Sequence, residues 1–217
     1  MRRHRQCKSA LVAGRSAAGS AQRIHGCTMI DLYTRMLLPL NRTGLKFMIT
    51  GSVAVIAYGE PRTTNDVDIV IDLSPDNAYK LHRAYASSDF YAPPADVMAM
   101  EAEEAEGQFN VVHLDSVMRA DFYVAGNDPL HQWALQNRRM ERIGGIDLPF
   151  APLEYLIIRK LEYFRNTKSD RHLRDVAGLM RVSGEQVDHA GLHELIAERK
   201  LENEWEAAQE IVRSRPT

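Results

Sequence analysis

Cysteine is nearly absent, and the little there is sits at one end. Cys7 and Cys27 are the two cysteines in 217 residues, and both precede residue 29. Residues 29–217 can therefore form neither a disulfide nor a thiolate metal site. That economy fits a reducing, cytoplasmic setting. No apolar run approaches the roughly 20 residues that a membrane-crossing helix needs, which argues against a membrane protein. The eight histidines show no ligand-type spacing, so zinc is not expected. Internal repeats are missing too.

Charge is present but unevenly spread. The formal net charge is −2, yet residues 1–28 hold Arg2, Arg3, Arg5, Lys8, Arg15 and Arg23 and no acid. The other 189 residues carry −8. An acidic body of this kind speaks against a nucleic-acid-binding protein, whose folded part is normally basic. The first 28 residues are rich in Ala, Ser and Gly without a sustained apolar period, which predicts a disordered arm. Three readings stay open for it: a solvated tail, a basic arm that touches nucleic acid, or translated upstream sequence with Met29 as the true start. It lacks the apolar core of a secretory signal.

From Met29 onward the elements alternate. A helix is expected from Asp31 to about Leu38, ended by Pro39. LKFMIT (45–50) reads as a strand, VAVIAY (53–58) as a buried helix turn or two, and DVDIVID (66–72) as a strictly alternating strand. Helices are expected from Pro75 to about Ser87 and from Pro129 to Arg139. Residues 93–106 read as a helix or an acidic loop. QFNVVHL (108–114) and RADFYVA (119–125) suggest a hairpin around Asp115 and Ser116, and Met140–Ile143 a short strand. Beyond Pro152 the pattern is helical throughout, in four segments near 152–165, 169–182, 188–198 and 202–213. Strands mixed with helices, then helices alone, predict an α/β or α+β fold. Its expected divisions are a basic arm (1–28), a mixed-sheet domain (29–150) and a C-terminal helical unit (151–217).

Chemistry concentrates in residues 45–72. On a strand, residues two apart share a face, with Cα atoms about 6.5–7 Å apart. Asp66 and Asp68 therefore point the same way while Val67, Ile69 and Ile71 face the core. Two neighbouring carboxylates repel, and a divalent cation removes the repulsion. Mg²⁺ suits such a site, being held by a few carboxylates and phosphate oxygens. Thirteen residues separate Asp66 from Ser52, and Gly51 and Ser52 fall between a strand and a helix, where backbone N–H groups and the helix dipole favour an anion. A phosphate grip thus faces a metal pair.

The stretch ITGSVAVIAYGEPRTTNDVDIVID resembles the signature of the nucleotidyltransferase superfamily that includes DNA polymerase beta. It is most similar to the small nucleotidyltransferase-like proteins related to the AbiEii abortive-infection toxins. Gly51, Ser52, Ala54, Gly59, Arg62, Thr64, Asp66 and Asp68 fit that pattern in turn. The resemblance implies that Ser52 grips phosphate, with Arg62 and Thr64 in the nucleotide-binding motif, and that Asp66 and Asp68 hold Mg²⁺, or Mn²⁺ in its place. It also implies a third carboxylate on a later strand, for which Asp121 is the candidate. Three carboxylates would allow a two-ion arrangement, with Asp121 as ligand and base for an attacking hydroxyl.

Lys160 stands out in PLEYLIIRKLEYF, since it interrupts an apolar stripe of Leu153, Leu156, Ile157, Leu161 and Phe164. A triphosphate is a suitable partner for an inward lysine. This segment and KSDRHLRDVAGLM resemble later family segments, the second only loosely, through Lys168, Asp170, Arg171, Arg174 and Asp175. Arg171 with Asp175, and Asp170 with Arg174, have the i,i+4 spacing of surface pairs.

The resemblance implies a metal-dependent nucleotidyltransferase. It would move a nucleotidyl group from an NTP to a hydroxyl of a tRNA end, a protein side chain or a small molecule. A toxin role with an antitoxin partner goes with the AbiEii likeness. The rival expectation is a non-catalytic nucleotide-binding or interaction module of the same fold.

Overall fold

The computed structural model describes residues 23–24, 27–28, 33–59, 64, 66–116, 118–143 and 146–214. Two strands of two residues each, β1 (Arg23–Ile24) and β2 (Cys27–Thr28), pair antiparallel. The arm expected over residues 1–28 otherwise lies outside the described residues.

The chain then enters a π-helical turn, Tyr33–Leu37, that runs into α1 (Leu38–Asn41). Pro39 was expected to end this helix and instead sits in its first turn. There its missing N–H has no intrahelical acceptor to leave empty, so it starts the α segment rather than stopping it.

Strands β3 (Phe47–Thr50), β4 (Asp66–Ile71), β5 (Phe90–Tyr91), β6 (Gln108–His113), β7 (Met118–Val124), β8 (Arg139–Ile143) and β9 (Ile146–Phe150) form one mixed sheet. Their order is β5-β6-β7-β4-β3-β9-β8. β4 lies at the centre, antiparallel to β3 and parallel to β7. β9 extends β3 in parallel and is itself the return arm of a hairpin with β8. Sequence periodicity finds β8 but neither β9 nor β5. β5 is only two residues long, and IDLPF in β9 carries a proline and a single well-spaced alternation.

The helices are α2 (Gly51–Tyr58), α3 (Pro75–Ala84), α4 (Ala95–Glu103), α5 (Pro129–Gln136), α6 (Leu153–Thr167), α7 (Asp170–Ser183), α8 (His189–Arg199) and α9 (Glu202–Ser214). The four expected C-terminal segments are thus all present, each within a residue or two of its predicted ends. None of the described helices is long and apolar enough to cross a membrane.

Alternation along β4 and β7 decides which way each face looks. Val67, Ile69, Ile71, Ala120, Phe122 and Val124 are buried. Phe122 stacks on Phe109 and meets Tyr85 edge-on, so the α3 side of the sheet is filled by aromatic packing. The Tyr85 hydroxyl donates to the Met36 carbonyl at 2.5 Å, tying the π-helical turn to that layer. On the other face, α2 packs against α6 and α7. Val70, expected on the polar side of β4, is fully buried here because helices cover that end of the strand. The apolar cluster runs from the sheet into Leu156, Ile157, Leu161, Val176 and Leu179 without a break. The polar part of the face that remains holds Asp66, Asp68 and Asp121.

Candidate active site

The parallel ladder pairs Asp68 with Asp121 and Asp66 with Arg119, and the antiparallel ladder pairs Asp68 with Thr50. Because paired residues share a face, Asp66, Asp68 and Asp121 share one as well. The expected convergence of three acids from neighbouring strands is therefore set by backbone register.

At the end of β3 the chain turns straight into α2. Gly51 makes that turn with φ +61°, and a Cβ added there would meet Asp68 Oδ2 at 1.8 Å. Two independent constraints, handedness and space, thus demand glycine. The Ser52 N–H points at Asp68 Oδ2, 3.4 Å away, and the Tyr123 hydroxyl reaches Asp68 Oδ1 at 3.4 Å. Both contacts are long and leave the carboxylate loosely held. In this arrangement the start of α2 addresses a carboxylate, the same kind of anionic group that a phosphate would present.

Burial raises the pKa of Asp68 above the ordinary carboxylate range, opposed by the Ser52 N–H, the Lys160 charge and Tyr123. Burial also raises that of Asp121, where the Asp68 and Asp66 charges add to the rise and Arg119 opposes it. The Tyr123 hydroxyl is pushed up by burial and then by the Asp68 charge. Desolvated carboxylates that repel one another are the electrostatic condition a bound cation relieves.

Arg119 brings a positive charge against two of the three acids. Its Nη2 lies 3.2 Å from Asp66 Oδ2 and 3.0 Å from Asp121 Oδ2. Among the described residues, no three His, Cys, Asp or Glu side chains are gathered closely enough to hold a metal ion. The donor set and the register suit a hard divalent cation, since carboxylate oxygens on adjacent strands are what Mg²⁺ takes. The side chains do not yet close on one: Asp68 leans toward Ser52, and a guanidinium separates the other two.

A cleft of about 680 Å³ opens over this end of the sheet, floored by Thr50, Gly51, Ser52 and Asp68. Its far wall comes from α6 and α7 and includes Arg159, Lys160, Tyr163 and Arg171. Asp66 and Asp121 flank Asp68 outside that lining. Lys160 is buried, as its place in the stripe predicts, but its ammonium pairs with Asp175 Oδ2 at 2.8 Å. The expected phosphate partner is thus replaced by a carboxylate from the next helix. Asp175 is equally buried and is no surface mate of Arg171. Nothing in the local spacing signals this, because α6 and α7 are brought together by tertiary packing.

Thr64 hydrogen-bonds locally: its Oγ1 donates to the Asp66 carbonyl at 3.2 Å and accepts from the Asp66 N–H at 3.4 Å. It shapes the entry to β4 and is outside the cleft lining. Arg62 lies outside the described residues.

A second charged group lines the cleft on its helical side. Asp128 caps α5, accepting from the Leu130 and His131 N–H groups at 2.8 and 3.2 Å. It also forms an ion pair with Arg159 Nη2. Arg159 Nη1 and Arg199 Nη1 hold Glu162 at 2.8 and 2.6 Å. Burial alone would raise the Asp128 pKa, but the Arg159 hydrogen bond and charge outweigh it and lower it. His131, beside them, is lowered to about 4, first by burial and then by the Arg159 charge.

Residues 29–215 match a sequence family described as "Nucleotidyl transferase of unknown function (DUF2204)". No curated protein matches the chain. Among solved structures, that of the antibiotic-resistance factor ANT(2'')-Ia in solution gives a TM-score of 0.55 at 13% identity. The alignment covers 86% of this chain and 98% of that one. The crystal structure of ANT(2")-Ia in complex with adenylyl-2"-tobramycin gives 0.55 at 14%, covering 78% and 95%. At such identities the likeness is one of fold. The mixed α/β sheet is of the nucleotidyltransferase type.

Proposed function

The chain belongs to this family of nucleotidyl transferases of unknown function, and from that premise we propose that it moves a nucleotidyl group from an NTP to an acceptor hydroxyl, whose oxygen bonds to the α-phosphorus as the α–β phosphoanhydride bond breaks and pyrophosphate leaves. One observation carries the reading. Asp68 and Asp121 are ladder partners, Asp66 shares their face, and all three stand beside the Gly51–Ser52 turn that opens α2.

In this reading Asp66, Asp68 and Asp121 hold Mg²⁺, with Mn²⁺ as a substitute. When bound, the ion neutralises phosphate charge and lowers the pKa of the attacking hydroxyl. Gly51 lets the triphosphate approach the backbone, and the Ser52 N–H turns from Asp68 to a phosphate oxygen. Asp121, raised above the usual carboxylate range by burial, is the acid–base candidate for the acceptor proton. Lys160 adds positive charge to the far wall of the cleft while Asp175 fixes its direction. Arg62 and Thr64 belong to the same motif, Thr64 through its hold on the Asp66 backbone.

The acceptor is a tRNA end, a protein side chain or a small alcohol, the last as in the tobramycin adduct of ANT(2")-Ia. An AbiEii-type toxin held by an antitoxin in the cytoplasm is the biological setting we infer. Division into a sheet domain to residue 150 and a helical unit beyond it belongs to the same proposal. A non-catalytic module of this fold is the second reading, favoured by the Arg119 bridge between two of the acids.

Each α-labelled NTP, incubated with Mg²⁺ and with total RNA, protein or a panel of small alcohols, tests the proposal. Wild type should transfer label, and an Asp66→Ala/Asp68→Ala double variant should lose at least about a thousandfold. Equal transfer by both proteins would end the mechanism. No transfer by either would favour the non-catalytic module.

A further inference from the structure

Arg119 does more than share a strand with Asp121. It is the ladder partner of Asp66 and sits two residues before Asp121, so all three side chains leave the sheet on one face. A single atom, Nη2, makes both contacts, at 3.2 Å to Asp66 and 3.0 Å to Asp121. One positive centre between two carboxylate oxygens occupies the position that a shared cation would require. An ordinary strand pairing would place the guanidinium against one acid; here it is divided between two, each proposed to bind the ion. The Arg119 side chain is 44% exposed, so it has solvent to move into.

From this we propose that Arg119 is an internal counter-ion that competes with the divalent cation for Asp66 and Asp121. The inference rests on the metal reading above. In the cation-free protein Arg119 offsets the mutual repulsion of the carboxylates. Cation entry and Arg119 release are then a single exchange, which raises the apparent dissociation constant for the cation. Because the two ion pairs are partly exposed, each is weak, and that constant rises by a modest factor.

Mn²⁺ titrated into the full chain, with unbound Mn²⁺ read from its paramagnetic resonance signal, tests this without reference to turnover. The titration is run with and without an α,β-methylene nucleoside triphosphate. Arg119→Gln should bind Mn²⁺ about three- to tenfold more tightly than wild type, and Arg119→Lys within about twofold of it. Asp121→Asn should bind more weakly than either. The rise in melting temperature on adding Mn²⁺ should be largest for Arg119→Gln, a second readout on the same folded samples. Affinity for Arg119→Gln equal to or below wild type, with Asp121→Asn still weakened, would overturn the competition and leave the metal reading standing. No Mn²⁺ binding by wild type or Arg119→Gln in either condition would overturn both.

Discussion

Two groups of charged side chains reach one cleft, through Asp68 on the sheet side and through Asp128, Arg159 and Glu162 on the helical side, and they follow opposite rules. On the helical side, Asp128 and Glu162 meet Arg159 and Arg199, two acids against two bases, with contacts of 2.6 and 2.8 Å at Glu162. On the sheet side, Asp66 and Asp121 share a single guanidinium, while the hydrogen bonds to Asp68 stretch to 3.4 Å. In the first group the Arg159 contacts lower the pKa of Asp128; in the second burial raises those of Asp68 and Asp121. A balanced network holds helices together, whereas crowded like charges are kept where something else is to bind.

The sharpest way to break this contrast is at Gly51. Gly51→Ala combines a positive φ with a Cβ lodged against the Asp68 carboxylate, and should cost ~2–4 kcal/mol in urea unfolding. An alanine tolerated within ~0.5 kcal/mol would mean that the sheet side is not crowded at all.

Next comes a paired comparison. Arg159→Ala removes the close partner of Asp128 and one of the two partners of Glu162, and should destabilise by ~1–3 kcal/mol. Asp68→Asn, measured in the same titration, should be neutral or slightly stabilising, since it removes an ionised group that burial disfavours. Equal losses would erase the distinction between the two groups.

The smallest effect is a pH dependence belonging to the balanced side. His131 is lowered to about 4 in the folded protein, against 6.5 for the ordinary side chain. Between those values the unfolded chain holds a proton that the folded one refuses. Stability from this residue is therefore complete above about pH 6.5 and is lost as pH falls toward 4. Unfolding free energies of wild type and His131→Gln should diverge by ~1–2 kcal/mol across that window, wild type having the steeper slope. Parallel curves would show that His131 takes up its proton without strain.

Much of the sheet side is legible in the sequence because its rules are local. Period-two alternation puts Asp66 and Asp68 on one face and Phe122 on the face opposite Asp121, and Gly51 marks the turn. What stays hidden depends on contacts between distant segments. Arg119 is an unremarked strand arginine until the β4–β7 register sets it opposite Asp66. Asp175 has the spacing of a surface pair with Arg171 until α7 packs on α6 and buries it against Lys160. Strand β9 escapes because a proline and a five-residue length leave too little pattern to read.

Asp68 and Asp121 are ladder neighbours although 52 residues of chain lie between them. The excursion between them, from α3 through β5 and β6 at one end of the sheet, comes back to one fixed hydrogen-bonding register. Loop-closure entropy grows only with the logarithm of length, so insertions in its turns add little cost. The excursion is therefore where related chains can gain or lose segments, and acquire new recognition surfaces, while the spacing of the two acids stays the same.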